Sequence, residues 1–493
     1  MTTMIKNKII LLASITTTLL ISSCSFFDPK YEKPEVKAPA LWNSQDKNIG
    51  ITKNWNLTKI AWWREFHDPV LNNLITTALK DNNKLQVSIG NVLQANAEIN
   101  KANYGWLPTA SVGGGGFVAQ AFDINSNSSI PQLNNVGTQT ASGSLVGIIP
   151  SYTINIARQF KLGEISRLSK KMQVNLKNTT RLSIISQVSA AYFSLITAQE
   201  QLKLQTQMVN QLELLFYYAE NQRKLGATSP MLEEVIRQQL ETQKGKVAMI
   251  KNDIVHFQNT LKILMGRNPG KIVTTRTLNE INADIKVPVN MPSQVLENRP
   301  DVAIAEYKLQ TANANIGLAR SQFFPSIDLT GAFGNATLAL GELATMNAWA
   351  WAAQAVAAVP IFNMSILADS DKAKAQFYQA YYDYINTLQQ AFQDVDDTLS
   401  ERSANEKNYT KQTVSLKSTE KQESIFSKKY SSGAISKAQY TGITLNVLYQ
   451  QMQVNQAKLK SLISIVNLYQ ALGAGYNVDN YIDPHYDHPA FDK

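Results

Sequence analysis

Cysteine is almost missing from this chain. Cys24 is the only one in 493 residues, so no internal disulfide can form. Histidine is scarce too: His67, His256, His485 and His488 are the full set, and no nucleophile motif accompanies them, which argues against an enzyme. Charged residues make up 17%, low for a soluble globular protein, while Asn, Gln, Ser and Thr abound, so much of the surface is polar without being charged. The excess of Lys and Arg gives a net charge of +9, but no Lys/Arg block concentrates it, which argues against nucleic-acid binding. Beyond the N-terminus no stretch offers the roughly 18 consecutive apolar residues of a transmembrane helix. If the chain crosses a membrane, it does so with strands.

The lone cysteine stands at the foot of an apolar segment, in TTLLISSCSFFDPKYEKP (residues 17–34). Lys6 and Lys8, the apolar run from Ile9 to Ile21, and the small Ser22 and Ser23 are the three parts of a secretory signal. The run is too short for a hydrocarbon core that needs about 20 helical residues, so residues 1–23 read as a signal peptide that is removed. Leu20-Ile21-Ser22-Ser23-Cys24 resembles the lipobox of bacterial lipoproteins. That resemblance implies cleavage before Cys24 and diacylglycerol on its thiol, and Ser25 rather than Asp in the next position implies sorting to the outer membrane. An ordinary signal peptide with an incidental cysteine is the alternative. The mature chain carries +7, because the signal holds two lysines and no acid.

The sequence repeats itself. Gly226 in RKLGATS and Gly266 in LMGRNP lie 40 residues apart, as do Gly433 in YSSGAIS and Gly473 in ALGAGY, at a constant offset of 207. Upstream, Pro108 in GWLPTASVGGGG pairs with Pro325 in QFFPSIDLTGAFG at an offset of 217, so the first copy carries ten extra residues, which a loop accommodates. Each copy is expected to run helix, Pro, strand, loop, strand, very long helix, Gly turn, second long helix. Residues 164–225 and 364–432 contain no Gly or Pro. At about 1.5 Å per residue each reaches about 90–100 Å, far beyond an ordinary globular helix. Such helices need lateral partners. Val188, Leu195, Leu202, Val209 and Phe216 recur at strict sevens, with Ala191, Ala198 and Leu212 three residues after their mates, the seam of a coiled coil. Gly226 and Gly433 supply the left-handed backbone that reverses each into an antiparallel hairpin.

Between the hairpins the period changes to two. SIDLTGAFG sets Ile327, Leu329, Gly331 and Phe333 against Ser326, Asp328, Thr330 and Ala332, and SYTINI sets Tyr152, Ile154 and Ile156 against Ser151, Thr153 and Asn155. In NAWAWAAQAVAAVPIF, Trp349 and Trp351 share a face, as at a membrane interface. A further strand begins at Thr109 and runs through Gly113–Gly116. No Lys-Ser/Thr follows that glycine run and no helix opens there, against a phosphate loop. Four strands of about ten residues match the length of tilted transmembrane strands but cannot close a barrel alone. Open edges in lipid leave unpaired backbone groups at several kcal/mol each, so chains must pool their strands. Three chains would supply twelve.

WWREFHDPVLNNLITTAL (62–79), NRPDVAIAEYKLQTANANIGLARSQFFPSIDLTGAFG (298–334), VPIF (359–362) and LYQALGAGY (468–476), in that order, resemble the TolC-like outer membrane factors, specifically the lipidated NodT-type efflux lipoproteins. The resemblance covers nearly the whole mature chain. It implies an α+β membrane protein with internal duplication, in which a trimeric 12-stranded β-barrel with four strands per chain continues into a long periplasmic α-helical coiled-coil barrel. It also implies docking of the hairpin tips, at Gly226 and Gly433, on a periplasmic adaptor and an inner-membrane pump, with no cofactor beyond lipid on Cys24. The chain departs from the family where two aspartates commonly follow the second hairpin's glycine; Gln439 and Gly442 stand there, with Lys437 close by. Glu233 and Glu234 lie one or two places beyond the usual acid of the first hairpin, and Asn363-Met364 replaces the usual Asp-Gly after PIF. The candidate periplasmic gate is therefore Glu233, Glu234, Lys437 and Gln439. Either its mouth is less acidic than the family's, or Glu233 and Glu234 restore the acidity.

The expected organisation is a signal peptide (1–23), a lipidated extended segment (24–59), a first repeat (60–275), a linker (276–291), a second repeat (292–476) and a tail (477–493). Asp483, His485, Asp487 and His488 in that tail are either a Zn²⁺ site or solvated chain. The function expected is the outer membrane channel of a tripartite efflux pump that exports drugs or other small toxic compounds. A type I protein-secretion exit duct is the alternative within the channel class, and a structural coiled-coil envelope lipoprotein the alternative outside it. The strands discriminate, since a spacer needs none that carry alternating Trp.

Overall fold

The computed structural model describes residues 29–37, 42, 56–121, 139–288, 297–340 and 344–478. Cys24, the signal segment, and the tail residues Asp483, His485, Asp487 and His488 lie outside the described residues. In chain order the chain forms α1 (Pro69–Asp81), α2 (Asn83–Tyr104), β1 (Thr109–Ala121), β2 (Gln139–Ile154), α3 (Ile156–Lys224), α4 (Pro230–Leu264), α5 (Pro300–Arg320), β3 (Ser326–Leu340), β4 (Ala344–Ala358), α6 (Met364–Ser431) and α7 (Lys437–Ala471). The order helix, strand, strand, long helix, second helix thus occurs twice.

The two long helices hold 69 and 68 residues. α3 starts earlier than the glycine-free stretch suggested, with Gly163 inside it, and Ile156 is its first residue rather than the end of a strand. Asn155 decides this boundary: its Oδ1 accepts from the Arg158 amide at 3.0 Å, capping the helix and ending β2. Asn363 caps α6 in the same manner, accepting from the Ser365 amide at 3.0 Å. Once nucleated, a 69-residue helix absorbs one interior glycine at about 1 kcal/mol. On α3 the heptad seam is buried at Val188, Leu195, Val209 and Leu212.

Four glycines end the helices. Gly226, Gly266, Gly433 and Gly473 have φ of 71°, 67°, 73° and 68°. Each sits in the same paired hydrogen bonding, exemplified by Ala227 N to Gln222 O at 2.8 Å with Gly226 N to Arg223 O at 2.9 Å, and by Ala434 N to Lys429 O at 2.8 Å with Gly433 N to Tyr430 O at 3.0 Å. The duplication extends to side chains. Asn82 donates to the Leu264 carbonyl at 2.7 Å, and Arg299 to the Ala471 carbonyl at 3.0 Å, pairs that stand at the two sequence offsets. Gln205 with Gln243 (2.9 Å) and Gln412 with Gln450 (2.8 Å) likewise tie each hairpin's helices together at matching positions.

The described residues fall into two compact units, one within Met1–Lys33, Gln94–Lys170 and Tyr307–Tyr381, the other within Pro34–Leu93, Lys171–Glu306 and Tyr382–Lys493. The first holds one antiparallel sheet in the order β1-β2-β3-β4. Its register pairs Thr109 with Ser151, Thr153 with Asp328 and Phe333 with Trp351. Gly147 faces Gly334 across β2 and β3, and a Cβ on either would overlap the opposite backbone. Gly113–Gly116 lie within β1, and β2 follows, so they form no phosphate loop.

The second unit is built around an aromatic core. Trp62, fully buried, stacks on Tyr469 at 4.9 Å and 9°, and Phe66 meets Phe193 at 4.8 Å. Asp68 caps α1 through the Val70 and Leu71 amides and accepts from the Tyr192 hydroxyl at 2.6 Å. Burial, and then the Asp68 carboxylate, push the Tyr192 phenol well above its usual range. These contacts explain the WWREFHDP stretch as packing.

Candidate functional site

The first hairpin turns at Gly226, where nothing lies within 4 Å of a Cβ position. α3 delivers Arg223 to this tip, and α4, starting one residue after Ser229, delivers Glu233 and Arg237. Glu233 is buried at 5% exposure and binds both cations, accepting from Arg223 Nε and from Arg237 Nη2, the latter at 2.8 Å. Glu234 points to solvent, 3.4 Å from Arg237 Nε. Arg237 also lies over the Phe216 ring at 5.0 Å. The two acids therefore differ: Glu233 is neutralised by its neighbours, while Glu234 keeps an exposed carboxylate.

The second hairpin turns at Gly433, equally open. Tyr430 and Tyr440 stack across it at 5.2 Å and 4°, and Lys437 Nζ stands 5.1 Å and 5.2 Å from their ring centroids. By the 207-residue offset, Tyr430 and Tyr440 occupy the positions of Arg223 and Glu233. One tip is closed by an ion pair and the other by an aromatic stack under a cation. Gln439 turns back on its own helix: Ser436 accepts from its amide, and its Oε1 accepts from the Ser436 amide at 2.9 Å, a reciprocal cap. Gly442 lies in α7 with nothing within 4 Å. The structure thus gathers Glu233 and Glu234 at one tip and Lys437 and Gln439 at the other.

The sheet has two unlike faces. Phe333, Trp349 and Trp351 share one with Val112, Val118, Val146 and Ile148, all exposed. Thr109, Ser151, Thr153 and Asp328 share the other, near the end that meets the helices. β1 and β4 each pair on one side only among the described residues.

Sequence reasoning missed the cleft of about 460 Å³ around Arg299 in NRPDV. Arg299 Nη2 donates to Asp301 at 2.6 Å and to Asp394 at 2.9 Å. Burial opposes its charge, but the two aspartates outweigh it and hold its pKa above the usual value. With Arg299 also on the Ala471 carbonyl, the group serves as a helix-end clamp. The Tyr430–Tyr440 pair was also missed, although aligning the two copies would have set it against Arg223 and Glu233.

A family model described as outer membrane efflux protein matches residues 74–267 and 291–474, one segment in each copy. The chain is 27% identical over 479 residues to a probable outer membrane lipoprotein of Salmonella typhimurium, SilC, covering 94% of this chain and 98% of that one. It is 28% identical over 473 residues to ArpC of Pseudomonas putida, an antibiotic efflux pump outer membrane protein, covering 94% and 96%. Among solved structures, the Campylobacter jejuni CmeC outer membrane channel has a TM-score of 0.76 at 23% identity, covering 92% of this chain and 96% of that one.

Proposed function

This chain belongs to the outer membrane efflux protein family and is an outer membrane channel of efflux pumps, and from that premise we propose that it works as a lipidated homotrimer. One observation carries the trimer: a four-stranded sheet whose β1 and β4 edges are unpaired among the described residues, faced with exposed Trp349 and Trp351. Edges left open in lipid cost several kcal/mol per unpaired backbone group, and three copies of the sheet close twelve strands into a ring. The two repeats, 60–275 and 292–476, each give two strands and one hairpin. The tips at Gly226 and Gly433 dock on a periplasmic adaptor, which links the channel to an inner-membrane pump. The cargo is drugs or other small toxic compounds, in keeping with the antibiotic efflux named for ArpC.

Lipid on Cys24 is supported by the resemblance to SilC. Asn313 of α5 donates to the Pro29 carbonyl at 2.8 Å. Native mass spectrometry of the purified protein tests both points. The expected mass is three mature chains, each carrying acyl groups; a folded monomer, or a mature chain with an unmodified cysteine, overturns the corresponding half. Cys24→Ala is expected to lose the lipid and keep the trimer, because the strands supply most membrane attachment.

A further inference from the structure

The four strands hold one charged side chain, Asp328. No Lys, Arg or His occurs in residues 102–157 or 321–371, which carry β1–β4, although the whole chain is basic at +9. Asp328 is the third residue of β3, paired with Thr153 of β2 and Val356 of β4. It accepts a hydrogen bond from Thr153 Oγ1 at 2.6 Å. Strand alternation puts it on the face of Ser326 and Thr330, and the register extends that face to Thr109, Ser151, Thr153 and Gln354. The opposite face carries Tyr152, Ile154, Ile327 and Leu329 at the same level, then Phe333, Trp349 and Trp351. In a membrane barrel an apolar, aromatic face meets lipid and the polar face lines the pore. A carboxylate on the lipid side would be costly, so Asp328 belongs to the pore wall.

We propose that Asp328 gives the barrel a preference for cations. This rests on the trimeric-channel reading: three chains set three carboxylates in a ring near the end of the barrel where the strands meet the helices. Rings of acidic side chains favour cations because their fields add inside a low-dielectric wall, and no basic side chain in the strands offsets this one. The Thr153 hydroxyl acts as a positioning group that holds the carboxylate on the wall.

Planar-bilayer recordings of the reconstituted trimer under a tenfold KCl gradient test the inference. The wild-type reversal potential is expected on the cation-selective side. Asp328→Asn keeps the size and the acceptor for Thr153, so the pore is expected to open with similar conductance and with the K⁺/Cl⁻ permeability ratio lowered about threefold. Asp328→Lys is expected to tip the pore toward anions, and Thr153→Val, which leaves the charge in place, to keep the cation preference. Asp328→Cys on the Cys24→Ala background gives a second readout, in which the charge of an attached water-soluble thiol reagent sets the selectivity. A conducting Asp328→Asn pore with the wild-type reversal potential overturns the inference, as does an Asp328→Cys pore whose introduced thiol the reagent never reaches. A wild-type protein that forms no channel overturns the trimeric pore itself.

Discussion

Lys458 sits in the middle of α7, only 6% exposed, and its amine donates to the Asn279 carbonyl at 3.2 Å. Burial pushes its pKa down from 10.5 to about 8. A lysine whose folded value lies below its unfolded one costs stability in full while both states are charged. That cost is relieved as pH rises from about 8 toward 10.5, where the unfolded chain binds the extra proton. Thermal melts of the wild type are therefore expected to shift upward from pH 7.5 to 9.5, by an amount of order 2 kcal/mol in stability. Lys458→Met should be more stable than the wild type at pH 7 and should lack this rise. A wild-type profile as flat as that of the variant would show that the amine reaches water. Tyr469 and Tyr476, both raised by burial, act only at higher pH and are common to both proteins. Nothing in QAKLKSL signalled this burial, because a lysine on a helix reads as solvated until its neighbours are known. Gln439 was legible as a departure from the family, but not its use as a cap, which depends on backbone geometry at Ser436.

At the scale of elements, the long helices and their glycine ends were legible because the signal is an absence: without Gly or Pro, nothing stops a helix. The start of α3 and the end of β2 were less so, since a capping asparagine outweighs an interior glycine. The caps also separate two jobs that one residue type performs. Gly433 and Gly473 share the left-handed backbone, at φ 73° and 68°, but only Gly473 is crowded, with the Asn298 carbonyl 2.6 Å from a Cβ position. Gly433→Ala is expected to cost about 1 kcal/mol, the price of a side chain in that conformation. Gly473→Ala must also displace backbone at Asn298 and Arg299, where Arg299 holds the helix end, and is expected to cost about 3 kcal/mol or more. Circular dichroism melts in detergent check the order. Equal losses would show that the close approach at Asn298 yields freely.

At the scale of the whole molecule, the two hairpin tips differ in charge. Residues 423–440 hold Glu423 against Lys428, Lys429 and Lys437, whereas residues 220–237 balance Glu220, Glu233 and Glu234 with Arg223, Lys224 and Arg237. In the proposed trimer three chains around one axis would multiply this threefold, and the mouth proposed at these tips would carry little acidity and weak affinity for cations. Glu233 does not restore it, because its carboxylate lies between two guanidinium groups. Glu234 retains an exposed oxygen, but Arg237 sits 3.4 Å away, and such a surface pair in water leaves little field at a distance. The sequence marked the missing aspartates and left open whether the first hairpin compensated. The placement of Arg223 and Arg237 on Glu233 supports the less acidic alternative. Glu233→Gln combined with Glu234→Gln is therefore expected to leave divalent-cation block in planar bilayers within about twofold of wild type. Gln439→Asp, which adds three carboxylates to the trimer, is expected to strengthen block if that position faces the lumen. A double variant whose block is lost would identify Glu233 and Glu234 as the acidic gate after all, and would shift the origin of cation affinity from the strands to the tips.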